Sequence, residues 1–421
     1  MTTAVIRADA RHLPLPDASA DLIVTSPPYF GLRSYTDDGA HYDGQIGSEA
    51  TRAEWLAALV ACTAEWVRVL KPSGSIFVNL GDKFAGSRMD GSSGWDSAPL
   101  QGGRGRLPEL AQSQGALRTR TDIPAKSLLG LPWRYALACM DELGLILRRD
   151  IIWSKPNGLP ESVTDRCRSS HEYLFHFTVQ PRYYAAVDEI REPHHDRNRP
   201  DGPKGRDCVA LNPGSRSSTD GLHHRELRND ARDYNPLGKL PGSVWEIPSQ
   251  PLTVPARLGV DHFAAFPMEL PRRCILGWSP PGICTECGEG RRPVVDKRYV
   301  KGQSGTSGFQ RDVARPFGGG GMHGKPAMDV QATITGYVCA CPQSDAPTRP
   351  ALVVDPFGGT GTTALVASMH GRTGISADLS ADYCRLARWR TTDPAERAKA
   401  LQVPKPPPVP DGMDTLFEVT A

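Results

Sequence analysis

The chain has 421 residues, 39% of them hydrophobic and 23% charged, with 49 basic side chains against 47 acidic ones. That is enough apolar material for a sizeable folded core, and the near balance of charge neither requires nor forbids a polyanionic partner. No run of about 18 apolar residues occurs, which excludes a membrane-spanning helix, and residues 1–16 lack the apolar centre of a secretory signal, so a cytoplasmic protein is expected.

Glycine and proline number 42 and 38, which points to a folded core carrying long loops. Arginine makes up 38 of the 49 basic residues. Its planar fork suits phosphate and guanine, although a genome rich in G and C produces the same bias. Ten cysteines in a chain of this kind argue for reduced thiols or a metal rather than a disulfide framework.

The first elements read as strand, turn, strand. Val5-Ile6 is a short apolar run ending at Asp9, and Asp21-Leu22-Ile23-Val24 is a second that runs directly into Thr25-Ser26-Pro27-Pro28-Tyr29. Thr51 and Glu54 form a capping box before Trp55, Leu59, Cys62, Trp66 and Val69 at helical spacing. Lys71-Pro72-Ser73-Gly74 is expected to stop that helix, with a buried strand over 75–80. Residues 83–122 have almost no apolar periodicity and read as a long loop. A helix is expected from Pro132 to Leu143, then strands over 147–153 and 173–177. Between Arg191 and Lys239 lie ten Arg or Lys, eight Asp or Glu and four His with few large apolar residues, a stretch that cannot build a core of its own. Near the end, Leu352–Asp355 is a strand, 356–361 a tight turn, 362–370 a helix and Thr373–Asp378 another strand ending in an acid. The tail from Gln402 is Pro-rich and expected to be extended and dispensable. Strand, helix, strand in this rhythm predicts an α/β fold with a doubly wound, mainly parallel sheet.

The glycine turn carries the first chemical signal. A strand ending in Asp355, then Phe357-Gly358-Gly359-Thr360-Gly361, then a helix opening at Thr362-Thr363 lets backbone approach a ligand and aims amide N–H groups at it. Asp378, at the end of the next strand, suits the two hydroxyls of a ribose. The turn lacks the third glycine of the dinucleotide fingerprint. A literal Gly-x-Gly-x-x-Gly at Gly319, Gly321 and Gly324 follows no strand and reads as a loop. The second signal is Ser26-Pro27-Pro28-Tyr29: two prolines remove two N–H donors, leaving carbonyl acceptors, a hydroxyl and an aromatic face. That set suits a planar ring bearing an amine.

These pieces resemble the S-adenosylmethionine-dependent amino DNA methyltransferases, in the circularly permuted arrangement where the catalytic motif precedes the glycine loop. The matching runs are Thr25–Tyr29, Leu70–Gly74, Ile152–Asn157, Glu172–Phe175, His262–Pro267 and Val354–Thr363, in the family's order. The resemblance implies a Rossmann-like methyltransferase sheet with inserted loops and double-stranded DNA as substrate. It assigns Ser26 and the carbonyl of Pro27 to the target amine, with Pro28 shaping the turn and Tyr29 stacking on a flipped base. Asp355, Phe357, Gly358, Gly359, Gly361, Thr362 and Thr363 would hold the methionine end of S-adenosyl-L-methionine, Asp378 its ribose, Phe266 and Pro267 would close the pocket, and Asp9 would face the adenine. The first motif position is Ser in most cytosine-N4 enzymes of the family and Asp or Asn in most adenine enzymes. Ser26 therefore favours N4-methylcytosine, with adenine-N6 as the alternative and an RNA amine or protein amide as a remote one. A cognate restriction endonuclease is the expected partner, and a bacterium or phage the expected source.

On this basis the chain divides into a catalytic half (1–82), an inserted loop (83–122), continued catalytic core (123–189), a candidate target-recognition region (190–245), a cofactor-pocket segment (246–278), a cysteine-bracketed insertion (279–350), the cofactor-binding half (351–401) and the tail (402–421). Arg197, Arg199, Arg206, Arg216, Arg225, Arg228 and Arg232 in the recognition region, and Arg104, Arg106, Arg118 and Arg120 in the first loop, are candidate DNA contacts. Cys284-x-x-Cys287-Gly288 and Cys339-x-Cys341 have the spacing of a zinc-ribbon set, four thiolates for one structural ion. Four unligated thiols are the other reading.

Overall fold

A computed structural model describes residues 2–31, 36–37, 40–41, 44–85, 123–158, 160–193, 235–260, 265–301, 328–341 and 346–405. The candidate DNA-contacting arginines at 104–120 and 197–232 and the glycines at 319–324 lie outside the described residues. Apart from a two-residue pair at Thr36–Asp37 and Ala40–His41, the strands, in chain order, are β1 (Thr3–Arg7), β2 (Ala20–Thr25), β3 (Leu70–Leu80), β4 (Ile146–Ser154), β5 (His171–Thr178), β6 (Val244–Glu246), β7 (Ile283–Cys284), β8 (Arg292–Lys301), β9 (Met328–Val338), β10 (Thr348–Arg349), β11 (Leu352–Asp355) and β12 (Thr373–Asp378). The helices are α1 (Arg52–Val69), α2 (Leu131–Leu143), α3 (Glu269–Trp278), α4 (Thr362–Met369), α5 (Ala381–Thr392) and α6 (Pro394–Ala400).

Eight strands form one sheet in the order β1-β12-β11-β2-β3-β5-β4-β6. Every neighbouring pair is parallel except the two that involve β5, which runs against β3 and β4. Side chains alternate across this sheet, and both faces are covered. Ile23, Ile76, Val78, Phe175 and Phe177 face the core made with α1 and α2. Leu22, Val24, Phe77 and Leu174 face the core made with α3 and α4. The runs are therefore apolar throughout, as strands buried on both faces must be.

Local signals set the element ends. Thr51 and Glu54 close the expected capping box: the Glu54 amide donates to Thr51 Oγ1 at 3.2 Å and the Thr51 amide to Glu54 Oε2 at 3.0 Å. The helix behind it buries Trp55, Leu59, Cys62, Trp66 and Val69, the stripe its spacing predicts. One expectation needed adjusting. Lys71-Pro72-Ser73-Gly74 is the first half of β3, which begins at Leu70 directly after α1. Its irregular pairing with β2 between Ala20 and Leu22 accommodates the proline.

The chain divides into two compact units, one of residues 1–186, 242–291 and 339–421, the other of 187–241 and 292–338. The first holds the sheet and both cores. The second contains the antiparallel β8–β9 hairpin, with a bulge at Val294/Val295. It also contains a bridge between Glu192 and Lys239, and Tyr337 donates to Glu189 Oε1 at 2.5 Å.

The packing of α4 on β12 leaves no room at Gly374, where an added Cβ would lie 2.4 Å from the Ala364 carbonyl oxygen and 2.6 Å from its Cα. Backbone cannot yield as a flexible side chain does. Gly374→Ala should cost about 1–3 kcal/mol, read from the urea midpoint; an unchanged midpoint would mean that α4 does not sit on β12 this closely.

Candidate active site

In an open α/β sheet, loops leave the carboxyl ends of neighbouring strands in opposite directions where the winding reverses, and that opening is where ligands bind. Here the reversal falls between β2 and β11: the chain winds outward from β2 to β3 on one side and from β11 to β12 on the other. The Ser-Pro-Pro-Tyr motif leaves β2 and the glycine turn leaves β11. Two motifs separated by more than 300 residues in sequence are thus neighbours in space.

A buried carboxylate joins them. Thr25 Oγ1 donates to Asp355 Oδ1 at 2.7 Å, Thr363 Oγ1 to Oδ2 at 2.9 Å, and the Phe357 amide to Oδ1 at 3.2 Å. Both oxygens of Asp355 are engaged within the chain itself, and the residue is 1% exposed. Burial pushes its carboxyl up to about 6, against the lowering influence of these three donors. The folded value lies above the ordinary 3.8, so ionising Asp355 opposes folding. Its stabilising contribution is complete below that ordinary value and is lost as pH rises through about 6.

The glycine turn is shaped by close approach. A Cβ on Gly358 would sit 2.0 Å from Ser376 Oγ, and Gly361 has φ +74°. Gly359 also has positive φ (+48°), but the space in front of it is open, the nearest atom lying 3.9 Å away. The Gly359 amide donates to Asp378 Oδ2 at 2.9 Å, and the Ser380 amide donates to Oδ1 at 2.9 Å. From behind, Arg390 Nη1 of α5 donates to Thr360 Oγ1 at 2.6 Å and to Thr362 Oγ1 at 2.7 Å, while its Nε meets Glu396 Oε2 at 3.1 Å. All four of these residues are buried.

Asp9 follows the end of β1, beside β12, and is held in a bidentate pair by Arg11, whose bonds keep its carboxyl below the usual range. Trp66 links that strand end to the turn: its indole donates to the Ala10 carbonyl at 3.2 Å and its ring stands edge-on to Phe357, centroids 5.8 Å apart. Phe266 is half-buried against the second core, and Pro267 is buried where its carbonyl receives the Leu270 amide at the start of α3. The preceding motif residues, 261–264, lie outside the described residues.

The Ser-Pro-Pro-Tyr motif is held by partners outside the motif itself. The Pro28 carbonyl accepts the Trp55 indole N–H at 3.1 Å, while no donor among the described residues reaches the Pro27 carbonyl. Tyr29 donates its hydroxyl to Glu172 Oε2 at 2.8 Å. Asn79 Nδ2 donates to the same oxygen at 2.7 Å and to the Tyr29 hydroxyl at 2.8 Å, and it lies 3.4 Å from Ser26 Oγ. Lys155 bonds the other oxygen of Glu172 and rests its ammonium 4.1 Å from the centre of the Trp153 ring. Burial alone pushes the Glu172 carboxyl up, but the Lys155 charge and the bonds from Lys155, Asn79 and Tyr29 together bring it below its ordinary value. The Tyr29 ring lies over Gly81, where a Cβ would come within 2.9 Å of Cε2.

The four cysteines of the insertion also meet: the sulfurs of Cys284, Cys287, Cys339 and Cys341 all lie within 4.8 Å of one another. Of the residues missed in sequence, Glu172 and Lys155 fall inside weak motif runs, and a charge at the edge of an expected apolar strand was their only signal. Asn79, Gly81, Arg390 and Glu396 carried none.

The chain thus presents an open α/β sheet with a glycine turn and a Ser-Pro-Pro-Tyr motif on neighbouring strands at its switch point. The family model described as DNA methylase, for N6 and N4 methyltransferases, matches residues 20–284, and the chain belongs to that family. It is similar to the Type II methyltransferase M.Cfr9I of Citrobacter freundii, 33% identical over 298 residues covering 68% of this chain and 77% of the relative. It is also similar to the Type II methyltransferase M.XycI of Xanthomonas campestris pv. cyanopsidis, 35% identical over 273 residues covering 64% and 69%. Among solved structures, the PvuII DNA methyltransferase (cytosine-N4-specific) aligns over 96% of this chain and 91% of its own, with TM-score 0.49 and 16% identity. Among the described residues, no helix is long and apolar enough to cross a membrane.

Glu172→Gln should leave the buried Lys155 without its counter-charge and cost roughly 3–5 kcal/mol at neutral pH, measured by urea unfolding. Because the Glu172 carboxyl is held below its ordinary 4.5, its stabilisation is complete above that pH and is lost as pH falls through the folded value. The variant should lack this acid-side loss. Equal stability and an identical pH profile would show that the pair holds nothing in place.

Proposed function

We propose that this chain is an S-adenosylmethionine-dependent methyltransferase that modifies the N4 amine of cytosine at specific sites in DNA, as the modification member of a Type II restriction–modification pair. The observation that carries this reading is the Thr25–Asp355–Thr363 clasp, which holds an amine-accepting motif and a ligand-approaching glycine turn on adjacent strand ends.

The residues fit the cofactor. Gly359 has open space before it, Gly358 packs without a side chain against Ser376 and so holds the turn close to β12, and Asp378 stands at the end of the next strand where a ribose diol would lie. Asp9 and Phe357, joined through Trp66, form the side toward the adenine. When bound, S-adenosylmethionine supplies an electrophilic methyl group on sulfur. Ser26 Oγ and the Pro27 carbonyl accept the two amine protons and draw the nitrogen lone pair out of conjugation with the ring. Tyr29 stacks on the base, its ring plane fixed by the hydroxyl bond to Glu172 and by the flat surface of Gly81. The half-buried Ser26 hydroxyl would carry away the proton that the amine nitrogen releases on taking up the methyl. The amine cannot be reached inside a duplex, so the base is flipped out.

Cytosine is favoured because the motif offers neutral acceptors. Both oxygens of Glu172 are taken by Lys155, Asn79 and Tyr29, which leaves a hydroxyl and a carbonyl for the amine.

The test is nucleoside mass spectrometry on unmodified DNA incubated with the protein and methyl-labelled cofactor. N4-methylcytosine is expected. N6-methyladenine would overturn the base assignment, and unlabelled DNA with cofactor bound would overturn DNA as substrate in favour of RNA or a protein amide. Ser26→Ala and Tyr29→Ala should each lower the transfer rate by about 100-fold or more while calorimetry shows cofactor affinity retained. Asp378→Ala should weaken cofactor affinity by about tenfold; unchanged affinity would move the ribose elsewhere.

A further inference from the structure

We propose that Cys284, Cys287, Cys339 and Cys341 bind one structural zinc ion, which clamps together the two chain segments from which the β8–β9 hairpin departs and to which it returns. Four sulfurs mutually within 4.8 Å already occupy the volume of a tetrathiolate site, in which sulfurs lie about 3.8 Å apart around zinc at about 2.3 Å. All four cysteines belong to the larger unit, which the chain leaves after Arg291 and re-enters at Cys339.

The backbone around the first pair is folded into a turn that brings the two sulfurs together. Cys284–Gly288 is a tight turn in which the Gly288 amide donates to the Cys284 carbonyl at 3.0 Å and the Cys284 amide to the Glu289 carbonyl at 2.9 Å. Gly288 has φ +72°, a conformation that a side chain would strain.

Apart from the buried side chains of Ile283 and Ala346, the two segments share little apolar packing. Neither hydrophobic core includes a residue from 279–350 among those described. The two segments pair through the two-residue strands β7 and β10, where Cys284 faces Thr348, supplemented by the Thr285 amide and hydroxyl, each 3.0 Å from the Pro347 carbonyl, and by Arg291 Nη2 to the Ala346 carbonyl at 2.5 Å. A two-residue ladder is too short to persist in water alone. A metal bonded to both segments replaces the missing core, as metals do in small domains that cannot bury enough apolar surface. Four protein ligands leave no open position, so the ion takes no part in transfer, and zinc, with no redox chemistry, suits a purely structural task. The remaining described cysteines behave differently: Cys62, Cys139, Cys274 and Cys384 are buried singly, and Cys167 is exposed away from the cluster.

The test is metal analysis of the full-length chain, purified under reducing conditions and dialysed against a weak chelator. About one zinc per chain is expected, together with four thiols that a mercurial reagent titrates in step with zinc release. Cobalt(II) replacing the zinc should give the sulfur-to-cobalt absorption and visible bands of a tetrahedral tetrathiolate. Cys341→Ser should lower bound zinc several-fold, and Cys167→Ser should leave it unchanged. The proposal is overturned if the folded wild-type chain carries no zinc and develops no such cobalt spectrum, if the metal found is iron, or if the four sulfurs are recovered as two disulfides. Cofactor binding and methyl transfer enter none of these readouts, so failure here is separable from failure of the methyltransferase reading.

Discussion

The fold turns on one buried carboxylate. Asp355 ends β11 at the point where the sheet reverses its winding, and its two oxygens bind a hydroxyl from β2 and a hydroxyl from α4. A carboxylate that is 1% exposed is costly to bury, and three internal donors offset that cost only while both loops keep their places. The same bonds that satisfy the charge therefore fix the glycine turn against the Ser-Pro-Pro-Tyr motif. Permuted motif order has no consequence for this geometry, because the clasp acts between adjacent strands whatever their order along the chain.

Each loop has a second support behind it. The Ser-Pro-Pro-Tyr loop rests on Glu172, compensated by Lys155 and bonded to Tyr29 and Asn79. The glycine turn rests on Arg390, compensated by Glu396 and bonded to Thr360 and Thr362. Buried ion pairs add little net stability compared with apolar packing of the same volume. What they provide here is direction: each carries a charge whose remaining bonds end on motif side chains, so those side chains keep one orientation. A methyl transfer that depends on in-line approach at near-contact distance gains from this more than from a fraction of a kcal/mol.

Much of this was legible in the sequence because it is local. Thr51 and Glu54 are three residues apart, the glycine turn is a contiguous run, and Trp55, Leu59, Cys62, Trp66 and Val69 fall at one helical spacing, so each announced its element. The cysteine spacing likewise anticipated a cluster that the fold does bring together. The supports behind the motifs were not legible, since Asn79, Lys155 and Glu172 converge from three strands and Arg390 reaches back 28 residues to Thr362. Nor did periodicity reveal that β5 runs antiparallel, or that β3 begins at Leu70, where the sheet accepts a Lys-Pro-Ser-Gly run that reads as a stop. Pairing direction and register are decided by neighbours, which a single strand does not encode.

The most direct measurement is single-turnover methyl transfer by Thr25→Val, a change that keeps side-chain shape and removes only the hydroxyl donated to Asp355. Thr25 is the last residue of its strand and belongs to neither set of ligand-facing side chains. If the clasp holds the two loops in register, the transfer rate should fall by about tenfold or more, the rate equivalent of about 1.4 kcal/mol, in a protein that remains folded. A variant that transfers methyl at the wild-type rate would contradict the claim that this buried carboxylate organises the site.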